Sequence, residues 1–376
     1  MRVAIVAECF TPTWNGVTNS VSRTVDHLAI RGHRALVVAP GPGPARHGST
    51  PVERVPGVVL PGSRLLPIGI PYRLERIIDQ FEPDVVHLAA PVLLGEAGGR
   101  VCRRLGVPTV ASYQTDLPGF ASSYHLRLVS SAAWAWLRHV HGLADLTLAP
   151  SSAAEWDLRQ RGIGPVARWG RGVDTVLWNP ERRDDSLRRM LLGRRHELLV
   201  GYAGRLAAEK RVAHLRHLRG LPGVGVVVVG AGPDQARLQG ELPEARFVGF
   251  QQGEQLARTV ASLDVFVHTG PHETYCQAVQ EAMACGVPVV APASGGILDL
   301  VAHGRTGWLY PPARPEVLRE AVATLAADPL LRSTMGATAH QSVQDRTWGA
   351  IGDQLIGHYR SVLPAVAPAE RARHAA

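Results

Sequence analysis

Lysine is all but missing from this chain of 376 residues: of 40 basic side chains only one, Lys210, is a lysine. A lone ammonium among so many guanidinium groups singles out its position. Cysteine is scarce as well. Cys9, Cys102, Cys276 and Cys285 lie far apart and form no CxxC pair, a spacing that argues against a zinc site, a redox motif and a disulfide framework. A reducing cytoplasm is the expected setting. No apolar run approaches the ~18 residues of a spanning helix. The opening MRVAIVAECF is apolar for only a few residues and reads as a first strand rather than a signal peptide. The expectation is a cytoplasmic protein, with peripheral attachment at the inner face of a membrane left open. The formal net charge of +8 and pI near 9.8 favour anionic partners. There is no basic block, zinc-finger pattern or RNP-like motif, so no nucleic-acid partner is expected.

What is present is a globular composition, 45% hydrophobic and 19% charged, which can fill a core without metals or staples. The length suits two domains. Apolar runs at Arg2–Glu8, Ala35–Ala39, Asp84–Leu88, Val107–Ser112 and Leu146–Ala149 alternate with helix-length segments, the rhythm of a mainly parallel sheet covered on both faces. A polar, arginine-rich stretch from Asn179 to Glu197 breaks the rhythm. A second series follows at Leu198–Gly204, Val224–Val229, Arg246–Val248, Val265–His268, Val287–Ala291 and Trp308–Tyr310. The chain therefore divides into a Rossmann-like domain over 1–175, a second over 176–345, a final helix over 346–363 and an unstructured tail over 364–376. In such sheets ligands gather beyond the carboxyl ends of the strands.

Two motifs fall in those loops. Gly204-Arg205-Leu206-Ala207-Ala208-Glu209-Lys210 follows the first strand of the second series and is expected to open a helix. A guanidinium fork, an ammonium and backbone N–H groups together suit a diphosphate and could neutralise a leaving group. Alone, the pair also suits a solvated first turn, with Glu209 facing solvent or capping. The second motif runs from His272 to Ala284 and carries Glu273 and Glu281. With Glu273 in the loop and Glu281 on the helix, both carboxylates can face the cleft and accept from sugar and ribose hydroxyls. Read blandly, one is a partner of the helix dipole and the other a solvated residue.

The Gly-Arg with a lysine five residues beyond the arginine, the Glu-x7-Glu followed by Ala282-Met283-Ala284, the Asn15-Gly16 loop and Gly230-Ala231-Gly232-Pro233 occur in the order found in retaining GT-B glycosyltransferases of the glycosyl transferases group 1 family. The chain resembles that family from residue 1 to about 345. AECFTPTWNGVTNSV, YQTDLPGFASSY and HETYCQAVQEAMACGVPVVAP look most like bacterial GDP-mannose-dependent α-mannosyltransferases of the phosphatidylinositol or glycolipid type. The resemblance implies an α/β fold of GT-B type: two Rossmann-like domains facing a central cleft, with the C-terminal helix returning to the N-terminal domain.

It also implies roles. Arg205 and Lys210 would bind the donor diphosphate, with Gly204 beside them, Glu281 the ribose and Glu273 the transferred hexose. Backbone amides near Thr274, Tyr275 and Cys276 would face the donor, and Asn15 and Gly16 would bring the N-terminal loop to the phosphate or acceptor. Many relatives have a histidine where this chain has Gln114, followed by Asp116. A carboxamide cannot titrate, so Gln114 positions rather than abstracts a proton, and Asp116 is either an acceptor contact or a turn carboxylate. That suits a retaining mechanism in which the departing diphosphate helps to deprotonate the acceptor. No DxD-type pair stands at a strand end, so no metal and no cofactor are expected beyond the nucleotide diphosphate sugar as co-substrate.

The implied function is transfer of a hexose, mannose from GDP-mannose as the first choice, to a hydroxyl of a lipid-linked or glycolipid acceptor. The alternatives are a tailoring transferase using UDP-GlcNAc or UDP-Glc on a small soluble acceptor, a GT-B sugar-nucleotide epimerase, and a nucleotide-sugar-binding protein. Several features are discounted. Gly230-Ala231-Gly232-Pro233 imitates a dinucleotide fingerprint but lacks the last glycine. His139, His141, His268 and His272 find no third metal ligand at suitable spacing. Gly295-Gly296 reads as a tight turn, and Trp134, Trp136 and Leu137 as core. The stretch from Arg64 to Arg76 reads as a covered loop, with contact to an anionic membrane as the alternative.

Overall fold

A computed structural model describes residues 1–13, 15–58, 68–114, 127–193 and 197–364 of the protein. Asp116, residues 64–67 of the Arg64–Arg76 stretch and the tail from residue 365 lie outside the described residues.

The first sheet is built from β1 (Arg2–Ala7), β2 (Arg34–Pro40), β3 (Arg46–His47), β4 (Thr50–Val55), β7 (Val85–Ala89), β8 (Thr109–Ser112), β9 (Leu146–Ala149) and β10 (Val166–Arg168), while β5 (Gly57–Val58) and β6 (Ile68–Gly69) form a separate small pair. Its order is β10-β9-β8-β7-β1-β2-β4-β3, parallel except where β3 meets β4. The second sheet holds β11 (Leu198–Ala203), β12 (Val224–Val229), β13 (Arg246–Gly249), β14 (Val265–Val267), β15 (Val289–Pro292) and β16 (Gly307–Tyr310), wholly parallel in the order β13-β12-β11-β14-β15-β16. All the apolar runs foreseen as strands are strands. Of the additional ones, β3, β5, β6 and β10 are two or three residues long, and β4, with the sequence TPVERV, mixes polar and half-exposed residues into its apolar signal.

Both sheets are covered on two faces, because their strands are apolar on both sides. In β1, Val3, Ile5 and Ala7 join one buried cluster while Ala4 and Val6 join another. In the second sheet Leu199 faces one cluster and Leu198, Val200 and Tyr202 the other. This is the two-domain α/β arrangement that the resemblance implied. The Asn179–Glu197 stretch contains a helix, Asp185–Leu192, whose Leu191 and Leu192 are buried in the core of the second domain.

The last helix, Trp348–Val362, returns to the first domain, where Leu355, Ile356 and Tyr359 are buried among Val25 and Leu28. Burying side chains of this size stabilises by about 1.5–3 kcal/mol each. His27 meets Asp353 at 2.8 Å on the same contact. The chain thus crosses between domains twice, and the crossings touch: Val173 N donates to Arg346 O at 2.8 Å and Val173 bridges to Thr347.

In each sheet the chain works outward on one side of its first strand and then resumes on the other. The switch lies between β1 and β7 in the first sheet and between β11 and β14 in the second. Loops leaving a switch point diverge and open a crevice at the carboxyl ends. The motifs belong to those loops.

Candidate functional site

The loop after β11 is held by the loop after β12. Gly204 N donates to Val229 O and Leu206 N to Ala231 O, both at 3.0 Å. A Cβ on Gly230, at φ +138°, would stand 1.9 Å from Gly204 O, and one on Gly232 would stand 2.2 Å from Leu206 O. Gly230-Ala231-Gly232 is therefore a backbone support for the Gly204-Arg205 turn. The segment that follows is not the α-helix expected from sequence. Ala208–Lys210 is a single 3-10 turn, Arg211 takes φ +48°, and a second 3-10 stretch runs from Val212 to Leu218. The left-handed residue breaks the spiral before an α-helix can propagate.

The same turn separates the two cations. Arg205 is 64% exposed, with its Nη1 4.0 Å from Glu209 Oε1. Glu209 is only 4% exposed, so the solvent-facing reading of that residue is corrected. Lys210 turns inward and places Nζ 2.5 Å from Glu273 Oε1, and His268 Nε2 lies 3.0 Å from the same oxygen. β11 and β14 are adjacent, so the loops carrying Lys210 and Glu273 meet at the switch point. Burial works to raise the Glu273 carboxyl, but the Lys210 charge and hydrogen bond, with His268 beside the same oxygen, outweigh it and hold it down at about 2. On Lys210, burial opposes the charge and Glu273 more than compensates, so its ammonium is strengthened.

The fold also supplies the third donor that spacing did not reveal: among the described residues His268, Glu273 and Cys276 bring ligand atoms within 4.8 Å of one another. The carboxylate is already engaged by Lys210, and burial pushes the Cys276 thiol well above its ordinary range. The donor set fits an ammonium better than a divalent ion, which requires deprotonated ligands.

The loop from Glu273 to Cys276 is shaped from behind. A Cβ on Gly295 would stand 2.3 Å from Glu273 O and one on Gly296 2.5 Å from Tyr275 Cα, and Gly296 N donates to Glu273 O at 2.8 Å. The glycine pair braces this loop. Cys276 then takes φ +82° and leads into the helix Gln277–Ala284, which carries Glu281. The Thr274 and Tyr275 side chains face the other domain: Thr274 Oγ1 donates to Gln114 O at 3.2 Å and Tyr275 OH to Arg171 O at 3.0 Å.

Asn15 caps the helix Gly16–Ile30 by accepting from Thr18 N at 2.9 Å, and its Nδ2 lies 3.2 Å from Cys9 Sγ. A Cβ on Gly16 would meet nothing within 4 Å, because Gly16 opens on a cavity of about 710 Å³ between the domains. The cavity brings Asn15, Gly16, Gly204, Arg205 and Glu281 to one space. It does not take in Lys210, Glu273 or Gln114, which stand at the neighbouring strand ends. Burial lifts the Glu281 carboxyl to about 8, against weaker lowering by Gln277 and Arg23.

Several lining residues were not singled out by sequence. Arg23 Nη2 pairs with Asp174 Oδ2 at 3.2 Å on the cavity wall, near Trp348 of the returning helix. Phe250, Gln251 and Gln252 after β13 also line it. Their only sequence signal was position, since they follow the carboxyl end of a strand. Gly172 was not singled out either: a Cβ there would stand 2.5 Å from Trp348 N, so glycine is required where the two crossings pack. The expectation of a covered loop up to Arg76 is corrected at Ile70 and Tyr72, which are 44% and 55% exposed.

Comparison with known proteins gives a consistent result. Glycosyltransferase Family 4 matches residues 14–177 and Glycosyl transferases group 1 matches residues 185–342. The chain is 49% identical over 370 residues to a GDP-mannose-dependent alpha-mannosyltransferase of Mycobacterium tuberculosis, covering 96% of this chain and 97% of that protein. It is 50% identical to the protein of the same name from Mycolicibacterium smegmatis, covering 96% and 98%. Among solved structures, HepE of Anabaena in complex with UDP superposes with a TM-score of 0.79 at 22% identity, covering 96% of this chain and all of that one. That last likeness concerns the fold alone.

Proposed function

Because the chain belongs to the glycosyltransferases of Family 4 and group 1, we propose that it transfers mannose from GDP-mannose to a hydroxyl of a lipid-linked or glycolipid acceptor, with retention and without a metal. The observation that carries this reading is the interdomain cavity at the second sheet's switch point, with exposed Arg205 and the Glu281 carboxyl on its walls. The names of the relatives supply the donor.

In this reading Arg205 takes up charge on the diphosphate as the bond from sugar C1 to phosphate oxygen breaks. Lys210 and Glu273 form a fixed ion pair at the neighbouring strand end, a preorganised dipole rather than a net charge. Glu281, partly protonated near neutrality, meets the ribose hydroxyls as both donor and acceptor. The acceptor oxygen bonds to C1 on the face the phosphate leaves, and its proton passes to a phosphate oxygen, so no protein base is required. Gln114, which cannot titrate, orients rather than reacts. The preorganised cations take the part a divalent ion would otherwise play.

The lipid acceptor is supported by the surface of the first domain. Ile70, Tyr72 and Leu93 are exposed there, and the Arg73 guanidinium lies 4.8 Å from the Tyr72 ring centroid. Exposed apolar groups beside arginines suit an anionic membrane. No described helix is long and apolar enough to cross one.

The test is radiolabelled GDP-mannose incubated with the purified protein and lipid extract. An α-linked mannolipid, formed undiminished after chelation, is the expected product. Preference for a UDP-sugar overturns the donor. Conversion of the nucleotide sugar without any acceptor indicates an epimerase instead.

A further inference from the structure

Gln114 is tied into a directed line of hydrogen bonds. Arg171 Nη2 donates to Gln114 Oε1 at 2.8 Å, and Gln114 Nε2 donates to Ser112 Oγ at 2.8 Å. Ser112 Oγ lies 3.0 Å from His87 Nε2, and His87 Nδ1 lies 2.7 Å from Tyr359 OH on the returning helix. A guanidinium has donors only, so the carboxamide must turn its oxygen to Arg171 and its nitrogen to Ser112. Ser112, accepting from that nitrogen, is free to donate to His87 Nε2, which places the imidazole proton on Nδ1. His87 stays neutral because burial, helped by the Arg171 charge, holds it down at about 3.

Arg171 itself sits at the first interdomain crossing, and its carbonyl accepts from Tyr275 OH at 3.0 Å and Gln280 Nε2 at 3.1 Å. Its other terminal nitrogen, Nη1, is buried without a hydrogen-bond partner. A buried donor left without a partner beside an orientable amide calls for an explanation.

We propose that Arg171 is a positioning residue for the transfer reaction: it fixes the orientation of the Gln114 carboxamide at the crossing between domains, leaving one N–H and one oxygen lone pair of that amide for the sugar or the acceptor. The chemistry also explains why an amide suits position 114. An amide can answer a donor-only neighbour on one side and a hydroxyl on the other, whereas a protonated imidazole would face the guanidinium donor to donor.

The proposal rests on the transferase reading, and its test separates the two. Arg171→Met keeps the apolar stem and removes the donors. Its expected effect is a fall in kcat of up to about 100-fold with KM for GDP-mannose and GDP affinity by calorimetry changed less than about twofold, since Arg171 does not line the donor cavity. Arg171→Lys, which keeps one donor, recovers part of the rate. In a Gln114→Met background the Arg171→Met change costs no further activity, because the group it positions is gone. Equal losses in both backgrounds, or unchanged kcat in folded Arg171→Met protein, overturn the proposal. If the wild-type protein turns over no GDP-mannose, the functional reading fails. Crystal structures of wild type and Arg171→Met then decide the positioning role: a turned Gln114 amide supports it and an unmoved one overturns it.

Discussion

The two sheet edges that meet at the cavity are built differently. The second domain presents charge on stiff supports: Lys210 and Glu273 lock together at 2.5 Å, and glycine pairs behind each loop allow backbone to lie directly on backbone. The first domain presents the Asn15 cap, Gly16 and the Gln114 amide, neutral groups held by hydrogen bonds, beside a single ion pair of its own, Arg23–Asp174, among the described residues that line the cavity. Such a division suits a reaction whose charge develops on the donor side. Fixed charges that need no reorganisation stabilise a departing polyanion, while the acceptor side needs only orientation.

The sharpest way to break this comparison is at Lys210. Lys210→Met leaves Glu273 buried beside a reduced set of partners, and losing one member of such a pair costs about 3–5 kcal/mol, to be read from denaturant unfolding, along with transfer. Adding Glu273→Gln should restore stability without restoring transfer. Arg205→Gln tests the exposed cation: transfer should fall about 100- to 1000-fold while unfolding is unaltered, since the side chain is 64% exposed. If both arginine and lysine variants lost stability equally, the division between a buried cation and an exposed one would fail.

Gly230→Ala probes the backbone support. Its Cβ would meet Gly204 O at 1.9 Å, so the Gly204-Arg205 turn must move, with a loss of about 1–3 kcal/mol and weaker GDP binding by calorimetry.

Two glutamates of the second domain differ in the sense of their pH slope. Glu273 is held at about 2, below its ordinary 4.5, so its contribution to stability is present above about pH 4.5 and disappears as pH falls toward 2. Glu281 is raised to about 8, so it acts in the opposite sense: stability declines as pH rises from about 4.5 to about 8 and is then level. Glu281→Gln should flatten stability across that upper window. A slope that persists in the variant would assign it to another group.

Much of this was legible because it depends on local pattern. Continuous apolar runs such as VAIVA and VGVVVV mark strands buried on both faces, and their alternation with helix-length segments gives parallel sheets. The final helix was legible as a helix, its return to the first domain only through the family resemblance, and the structure supplies the contact in Leu355, Ile356 and Tyr359. The site motifs were visible because loops at carboxyl ends carry ligands whatever the sequence between them. Glu209 was misjudged and the helix after Lys210 did not form, since burial and a single left-handed residue at Arg211 override propensity.

The sequence by itself determined the longer strands and the residue types that follow them toward the cleft, because each is set by local pattern along the chain. Only the tertiary structure decided that Lys210 would be spent on Glu273, that Arg23 and Asp174 would wall the cavity, and that Arg171 would face Gln114. Those partners lie 63, 151 and 57 residues apart, and no local periodicity encodes a contact that forms only when two sheets and two interdomain crossings pack together.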